Sequence, residues 1–576
     1  MALDGSLVLI LHTHLPYVLR HGAWPHGSDW LCEAAAECYI PLLTMAEELI
    51  DEGITPGITL SISPVVAEQL DDDEFPEIFN AWLLARIESA ESDLKEFEKK
   101  SEDRHLVPIA DYWADWFRSR YRNFNERYGR DICGAFRRLA DEGAIALQTC
   151  GATHGYFPLL GRDSSINAQL AVARTSHQRR FGRPARGVWM PECAYRPRGF
   201  WVPAVENVTA PPTVREGVDE LLAAHSFDYT IVDSHLTQGG KPLGLYAGRF
   251  ESVRRLLEGE EQYLPLDSAR SVHDIYKISS TGEPGQGMPA IFTRDAATTL
   301  QVWSGSYGYP GDPEYLEFHK RHHNSGHRYW RVTGMTVDLG GKEDYHFERV
   351  ENRVKEQAEH FVGLVERRMR EYRERTGRPG TLSAPFDTEL FGHWWFEGPR
   401  FLGEVIRRVH ASATIAMRTA PDELDAKDPN VVISIPEGSW GEGGMHKVWL
   451  NEETAWTWPH IYEVEADVER LLEDADPRSS VQQRVLRQLL REQLLLQASD
   501  WQFLITTKSA ADYAEERFRE HHENAVLLAG MLERLLGGVP MSLGDRRDLE
   551  RLETQNRLFP ELDPDAWRTA PTIAAS

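Results

Sequence analysis

The chain has 576 residues, of which 41% are hydrophobic and 27% charged, and its formal net charge is −27. This composition is typical of a globular protein that is long enough for one large domain and one or two smaller ones. The excess of acidic side chains argues against binding to nucleic-acid phosphates or to an anionic membrane surface, and it favours a neutral or cationic partner.

The cysteines and the start of the chain bear on location. Five cysteines without a CxxC spacing predict neither a disulfide framework nor a thiolate zinc site, so a reducing cytoplasm is the expected location. The apolar run at residues 7–11 is too short for a signal-peptide core or a membrane span. We therefore expect a cytoplasmic protein that does not cross a membrane.

Short apolar runs alternate with longer amphipathic stretches, which is the pattern of an α/β domain and is consistent with a barrel. The predicted buried parallel strands are residues 7–11, 144–148, 187–190, 229–232, 335–337 and 382–386. Residues 399–409 illustrate a predicted helix, because Pro399 suits its first turn and Leu402, Val405, Ile406 and Val409 share one face.

Ionisable side chains follow several predicted strands at their C-terminal ends. They are His12, His14, His154, Glu192, Asp233, His235 and Asp387. In a barrel of parallel strands these ends share one face, where the active site is built. Residues hundreds of positions apart are therefore expected to converge there.

Three regions depart from the alternation. Residues 197–220, rich in Pro, Val and Arg, look like a small insertion. Residues 236–287 are predicted to form a lid-like excursion over the barrel mouth, with Tyr246 able to reach over the cleft. From about residue 425 a Gly- and Trp-rich region leads into helical sequence, including residues 481–504, which predicts a C-terminal helical domain.

Two strings deliver a carboxylate from a strand into aromatic surroundings: GVWMPECAY at 187–195 and FDTELFGHWW at 386–395. Either Glu192 or Asp387 alone could make a structural salt bridge. Together they meet the demand of a retaining glycosidase, in which an ionised carboxylate attacks the anomeric carbon and a second carboxyl group, about 5 Å away, protonates the leaving oxygen. A closed, aromatic-walled site would raise the pKa of that second group.

Five strings resemble, in order, the five sequence regions of glycoside hydrolase family 57. They are HTHLPY at 12–17, ATHGYFP at 152–158, WMPECAY at 189–195, FDTELFGHWWFE at 386–397 and WLNEETAWTWP at 449–459. The similarity is to the branching-enzyme subgroup and covers nearly the whole chain, because GSWGEGG at 438–444 and ASDW at 498–501 also resemble it.

The resemblance implies a (β/α)7-type barrel with a small inserted domain and a C-terminal helical domain that contributes to the cleft. We expect barrel segments at 1–194 and 229–425, the inserted domain at 195–228 and the helical domain at 426–576. The implied activity is that of a 1,4-α-glucan branching enzyme, which cleaves α-1,4-glucan through a covalent glucosyl-enzyme and transfers the chain to a 6-hydroxyl. The implied partner is α-glucan, without a cofactor or metal.

By motif position, Glu192 matches the family's nucleophile and Asp387 its general acid/base. The resemblance further implies glucan contacts at His12, His14, His154, Arg294, Gly311, Trp440 and Asp500. For Asp500 only the resemblance supports this role, because an acid in helical sequence usually faces solvent. Trp440 and Trp449 lie in Gly-rich sequence, where we expect exposure to a ligand. His12 and His14 both lie at a strand end, where alternation is expected to point one of the two into the site, and His14 is the favoured sugar contact.

Other functions remain open. Within the family, 4-α-glucanotransfer and α-glucan hydrolysis share the same covalent intermediate and differ in the acceptor. A more distant alternative is a metal-dependent barrel hydrolase that would use His12, His14, His154, Asp233 and His235. A glucan-binding protein without catalytic activity is the third alternative.

Overall fold

A computed structural model describes residues 3–205, 208, 212–239, 269–282, 287–304 and 308–568. The strands among these residues are β1 (Gly5–Thr13), β2 (Thr59–Ile62), β3 (Ala146–Cys150), β4 (Val188–Trp189), β5 (Gly199–Trp201), β6 (Thr213–Arg215), β7 (Tyr229–Val232), β8 (Tyr276–Ile278), β9 (Ala290–Thr293), β10 (Gly380–Asp387), β11 (Ile415–Met417) and β12 (Val432–Ile433).

Seven parallel strands close into a barrel within the described part of the chain. One sheet has the order β10-β1-β2-β3-β4, and β7 pairs in parallel with β9 in another. Single parallel bridges from Gly187 to Tyr229 and from Arg294 to Ser383 join the two sheets at both edges. The predicted (β/α)7-type barrel is confirmed.

Helices surround the barrel and make up most of the C-terminal part. They are α1 (Ser28–Ala34), α2 (Ile40–Asp51), α3 (Pro64–Leu70), α4 (Phe75–Lys99), α5 (Val107–Arg122), α6 (Ile132–Asp141), α7 (Asp163–Phe181), α8 (Val218–Ala224), α9 (Ser234–Gln238), α10 (Ala296–Trp303), α11 (Phe347–Thr376), α12 (Gly398–Ala411), α13 (Ala420–Lys427), α14 (Thr457–Asp474), α15 (Ser480–Leu496), α16 (Asp500–Thr507), α17 (Ala511–Leu536) and α18 (Leu543–Gln555). A π-helical segment, Ala35–Tyr39, connects α1 to α2. No helix of the described residues is both long and apolar enough to cross a membrane.

The core of the barrel follows directly from sequence. Leu7 to Leu11 are at most 1% exposed, because a central parallel strand is covered on both faces and favours a continuous apolar run. The predicted strands at 229–232 and 382–386 are confirmed, and those at 144–148 and 187–190 lie within two residues of β3 and β4. The predicted helix at 399–409 lies inside α12.

Three predictions need correction. The strand predicted at 335–337 is wrong, because these residues, Met-Thr-Val, lie in a turn region where Met335 is 55% exposed. The strands β2 and β9 were not predicted. The helix predicted at 481–504 is interrupted between α15 and α16, where the Ser499 amide donates to the carbonyl of His154 at 3.0 Å, so a barrel loop replaces the helical hydrogen bond.

The two interrupting segments differ in how far the structure describes them. Within 197–220, β5 and β6 form an antiparallel pair. The segment 236–287 includes the end of α9 and the strand β8, but Tyr246 lies outside the described residues.

Candidate active site

The C-terminal ends of the barrel strands open into a cleft of about 350 Å³. Its lining includes the two carboxylates and other predicted residues: His12, His14, His154, Glu192, Asp387, Trp440 and Asp500. Asp500 is the first residue of α16, which reaches the cleft from the C-terminal part of the chain. The structure therefore brings together seven of the predicted site residues.

The backbone at Glu192 is strained. Glu192, Cys193 and His154 have φ angles of 61°, 48° and 64°, in the left-handed region that residues with a Cβ rarely adopt. Such residues each cost of order 1–3 kcal/mol and concentrate at functional sites, where the surroundings hold them. Here the backbone amide of Trp440 donates to the Glu192 carbonyl at 3.1 Å, which fixes the turn that directs the carboxylate into the cleft.

The Glu192 carboxylate is held by two donors. Its Oε2 accepts from the indole Nε1 of Trp440 at 2.8 Å, and its Oε1 accepts from Ser499 Oγ at 3.2 Å. Burial raises the pKa of Glu192 to about 7, and the two donors oppose that rise while the Asp500 charge adds to it. Glu192 can therefore exchange its proton near neutral pH.

Both histidines of the first motif belong to the cleft wall, so the expectation that one of the two would point away from it is wrong. Residues two apart in an extended strand share a face. The His12 ring stacks on Trp189 with centroids 4.6 Å apart, and the His14 ring stacks on His154 at 3.9 Å. His14 Nε2 lies 2.9 Å from Asp500 Oδ2. Burial lowers the pKa of His12 and His154 well below the usual value, which favours the neutral form of both rings at rest.

Asp387 ends β10 beside His12, its register partner on β1. Glu389, two residues later, also lines the cleft and accepts from the Tyr39 hydroxyl at 2.9 Å. Burial raises the pKa of Glu389 to about 7. His393 lines the cleft too and pairs with Glu37 at 2.8 Å, whereas Glu397 is fully buried and accepts from the Tyr345 hydroxyl at 2.7 Å.

Trp449 lacks the exposure expected of it, and Trp440 lines the cleft with only a small part of its surface. Trp440 is only 2% exposed, because it packs edge-on against Trp189 and Trp303 while its N–H holds Glu192. Trp449 is fully buried, stacked on Tyr156 with centroids 4.3 Å apart, and does not line the cleft. Gly441, which follows Trp440 in the chain, permits close packing rather than exposure: a Cβ on it would lie 2.6 Å from the Trp449 ring.

Arg294 and Gly311 are not among the residues that line the cleft. Arg294 is 1% exposed and makes a two-point ion pair with Asp233, with its guanidinium 5.5 Å from the centroid of the Trp440 ring. Arg294 therefore contacts the Trp440 ring from outside the cleft. Gly311 is half-buried at the end of the short 3₁₀ segment Tyr309–Gly311.

The five residues of the metal-dependent alternative do not form one site in the described structure. Asp233 is occupied by Arg294, and His235 Nε2 lies 3.1 Å from the carbonyl of Gly444. The ring nitrogens of His12, His14 and His154 are engaged with serine, histidine and Asp500 side chains.

Sequence reasoning missed Ser61, Trp189 and Ser499 as site residues. Ser499 precedes Asp500 in the ASDW string, but nothing in that string indicates that its hydroxyl meets Glu192. Trp189 lies in the motif of Glu192, but its position beneath His12 depends on the barrel. Ser61 lies on β2, a strand that the sequence analysis did not predict.

Two family models match the chain. One, described as glycosyl hydrolase family 57, matches residues 8–349. The other, described as 1,4-alpha-glucan branching enzyme, C-terminal, matches residues 460–567. Together they cover barrel strands and the C-terminal helices.

Among curated relatives, the 1,4-alpha-glucan branching enzyme TK1436 of Thermococcus kodakarensis is 39% identical over 560 residues, which are 97% of this chain and 78% of the relative. Its crystal structure aligns at 38% identity and a TM-score of 0.88, covering 98% of this chain and 96% of that chain. The crystal structure of a GH57-type branching enzyme from Pyrococcus horikoshii aligns at 37% identity and a TM-score of 0.86, covering 98% of this chain and 97% of that chain. The crystal structure of the α-amylase AmyC from Thermotoga maritima aligns at 27% identity and a TM-score of 0.79, covering 98% of this chain and 99% of that chain.

Proposed function

The chain belongs to glycosyl hydrolase family 57, and on this premise we propose that it is a 1,4-α-glucan branching enzyme with Glu192 as nucleophile and Asp387 as general acid/base. The observation that carries the proposal is the shared cleft: both carboxylates line it in a chain that is 37–39% identical to branching enzymes over nearly its whole length. The substrate is α-glucan.

In the first step, a Glu192 carboxylate oxygen attacks the anomeric carbon of an α-1,4-linked glucose, and Asp387 donates its proton to the departing 4-oxygen. The product is a covalent glucosyl-enzyme with inverted configuration. In the second step, Asp387 removes the proton from the 6-hydroxyl of an acceptor glucan, and that oxygen displaces Glu192. Two inversions give net retention and an α-1,6 link.

We infer the remaining glucan contacts from the residues that line the cleft beside Glu192. The carboxylate of Asp500 can accept from sugar hydroxyls, whereas His12, His14 and His154, whose ring nitrogens are bonded to other side chains, offer the edges and faces of their rings. Trp440 acts by holding Glu192. Arg294 supports Trp440 from behind.

We also propose a cytoplasmic location. All five cysteines are unpaired and buried. The reducing compartment would keep these thiols in the state that the fold requires.

Hydrolysis is the second candidate, because a structure similar over 98% of this chain is described as an α-amylase. Incubating the protein with amylose and then treating the product with a debranching enzyme separates the outcomes. Branching predicts new α-1,6 links without an equal number of new reducing ends. Reducing ends alone would establish hydrolysis, and lengthened linear chains would establish 4-α-glucanotransfer.

A further inference from the structure

A continuous line of hydrogen bonds runs from Glu192 into the interior of the barrel. The contacts are Glu192 Oε1 to Ser499 Oγ at 3.2 Å, Ser499 Oγ to His154 Nδ1 at 2.8 Å, His154 Nε2 to His12 Nε2 at 3.0 Å, His12 Nδ1 to Ser61 Oγ at 3.1 Å, and Ser61 Oγ to the Thr149 carbonyl at 3.2 Å. Every member is buried.

Counting protons shows that this line is one proton short when Glu192 is ionised. Each contact needs one proton between its two heavy atoms, and both ends, a carboxylate and a carbonyl, can only accept. The two serines and the two neutral histidines supply one proton each. Five contacts therefore share four protons. In one of them two acceptor atoms face each other without a hydrogen between them, which is repulsive. A fifth proton, on Glu192 or on a histidine, satisfies all of them.

We propose that Ser499, His154, His12 and Ser61 form a proton-holding chain, which takes up the proton that Glu192 releases before it attacks the sugar. This inference rests on the proposed role of Glu192 as nucleophile. It makes Ser499 and Ser61 positioning residues, which act on the reaction through Glu192 and the histidines.

The transfer balances without exchange with solvent. The O–H bond of Glu192 breaks and its proton bonds to Ser499 Oγ, while the proton that Ser499 carried bonds to His154 Nδ1. His154 becomes an imidazolium whose Nε2–H still donates to His12. All five contacts hold a proton before and after the transfer, and the proton returns by the same route when the glucosyl ester is cleaved.

Burial favours Glu192 as the resting position of the fifth proton, since it raises the pKa of Glu192 to about 7 and lowers the pKa of both histidines. Other titratable groups around Glu192 are His14, Cys150, Tyr156, Cys193, Asp387 and Asp500. None of them is changed by substituting Ser61 or Ser499, so a comparison of the two serine variants isolates the chain.

The two serines predict pH shifts of opposite sign. Ser61→Ala removes two contacts and one proton, which leaves three contacts and three protons, so ionised Glu192 is satisfied. In the pH profile of kcat/KM on amylose, we expect the acid limb to move to lower pH by about one unit. Ser499→Ala removes the hydroxyl that donates to Glu192 and passes its proton to His154, so the acid limb of the profile should move to higher pH by a similar amount.

Ser6→Ala is the matched control, because it removes a buried serine at the opposite end of β1 and should leave the limb in place. Ser61→Thr restores the hydroxyl and should restore the wild-type limb. Shifts of the same sign in Ser61→Ala and Ser499→Ala, or no shift in either, would overturn the proposal.

A measurement on the unmodified enzyme covers the case in which a variant fails to fold. Single-turnover rates in mixtures of H₂O and D₂O should depend on the deuterium fraction along a curve, because several protons move together. A linear dependence would overturn the chain. Activity retained by Glu192→Gln would instead overturn the proposed function, so the two failures are distinguishable.

Discussion

Trp440 and Trp449 are nine positions apart in the same Gly- and Trp-rich region, but their indole N–H groups differ in their hydrogen bonding. Trp440 Nε1 donates to the Glu192 carboxylate. Trp449 Nε1 is buried with no hydrogen-bond partner among the described residues. Composition predicted tryptophans near the site but not these roles, because a glycine beside an indole permits either exposure or close packing.

Trp440→Phe should raise the pKa of Glu192 above about 7, since the N–H donor stabilises the ionised form. Catalysis needs that form, so the acid limb of kcat/KM on amylose should move to higher pH by about one unit. Trp449→Phe is the matched control and should leave the limb in place. If the acid limb lies at the same pH in both variants, Trp440 does not lower the pKa of Glu192.

The catalytic residues could be predicted from sequence, because each carboxylate directly follows an apolar strand in a recognisable string. The partners of Glu192 could not. Ser499 lies 307 positions away in the chain, and nothing local in a serine before a helix indicates which carboxylate it meets. The lowered pKa of His12 and His154 is likewise a result of burial that only the folded barrel supplies.

At the scale of elements, long apolar runs predicted their strands, and the four-residue strand β7 was also predicted, whereas β2 and β9, equally short, were not. The strands β1 and β10 have nine and eight residues and were predicted. The strand β2, TLSI, alternates with hydroxyl side chains and has no apolar run. Residues 335–337, Met-Thr-Val, have the composition of a strand but follow Gly334 and precede Gly340 and Gly341 closely, and such glycines favour a turn.

The loop after β10 depends on Gly392, whose φ is 120° and whose added Cβ would lie 1.9 Å from the Glu37 carbonyl oxygen. Gly392→Ala should therefore destabilise the protein by about 2–4 kcal/mol through backbone strain and overlap. Gly377→Ala is the control, because that glycine also has a positive φ but meets nothing within 4 Å, and about 1 kcal/mol is expected. Equal falls in melting temperature would contradict this account.

The lid-like segment 236–287 remains a prediction, as do the domain limits given above. A glucosyl-enzyme reacts with water unless water is excluded and an acceptor is held nearby. Tyr246→Ala should therefore raise the ratio of new reducing ends to new α-1,6 links from amylose. Phe200→Ala, which removes an 82% exposed aromatic on β5, is the control. An unchanged ratio in a well-folded Tyr246→Ala would exclude the lid role.

At the scale of the whole molecule, the site combines residues of the barrel with residues of the C-terminal third of the chain. Glu192 comes from a barrel strand, whereas Trp440, Ser499 and Asp500 come from the C-terminal third. Alternating strands and helices predicted the barrel, but closure depends on two single-residue bridges that have no signature in sequence. The break between α15 and α16 likewise depends on a tertiary contact, because the Ser499 amide donates to the carbonyl of His154 in a barrel loop.

Trapping the covalent intermediate tests the central claim most directly. In Asp387→Ala the second step lacks its base, and α-maltosyl fluoride supplies a leaving group that needs no proton, so the glycosyl-enzyme should accumulate. Mass spectrometry of a pepsin digest should find one maltosyl group on the peptide that contains Glu192, and none when Glu192→Gln is added. A maltosyl group on another residue, or fluoride release without any labelled peptide, would contradict the account.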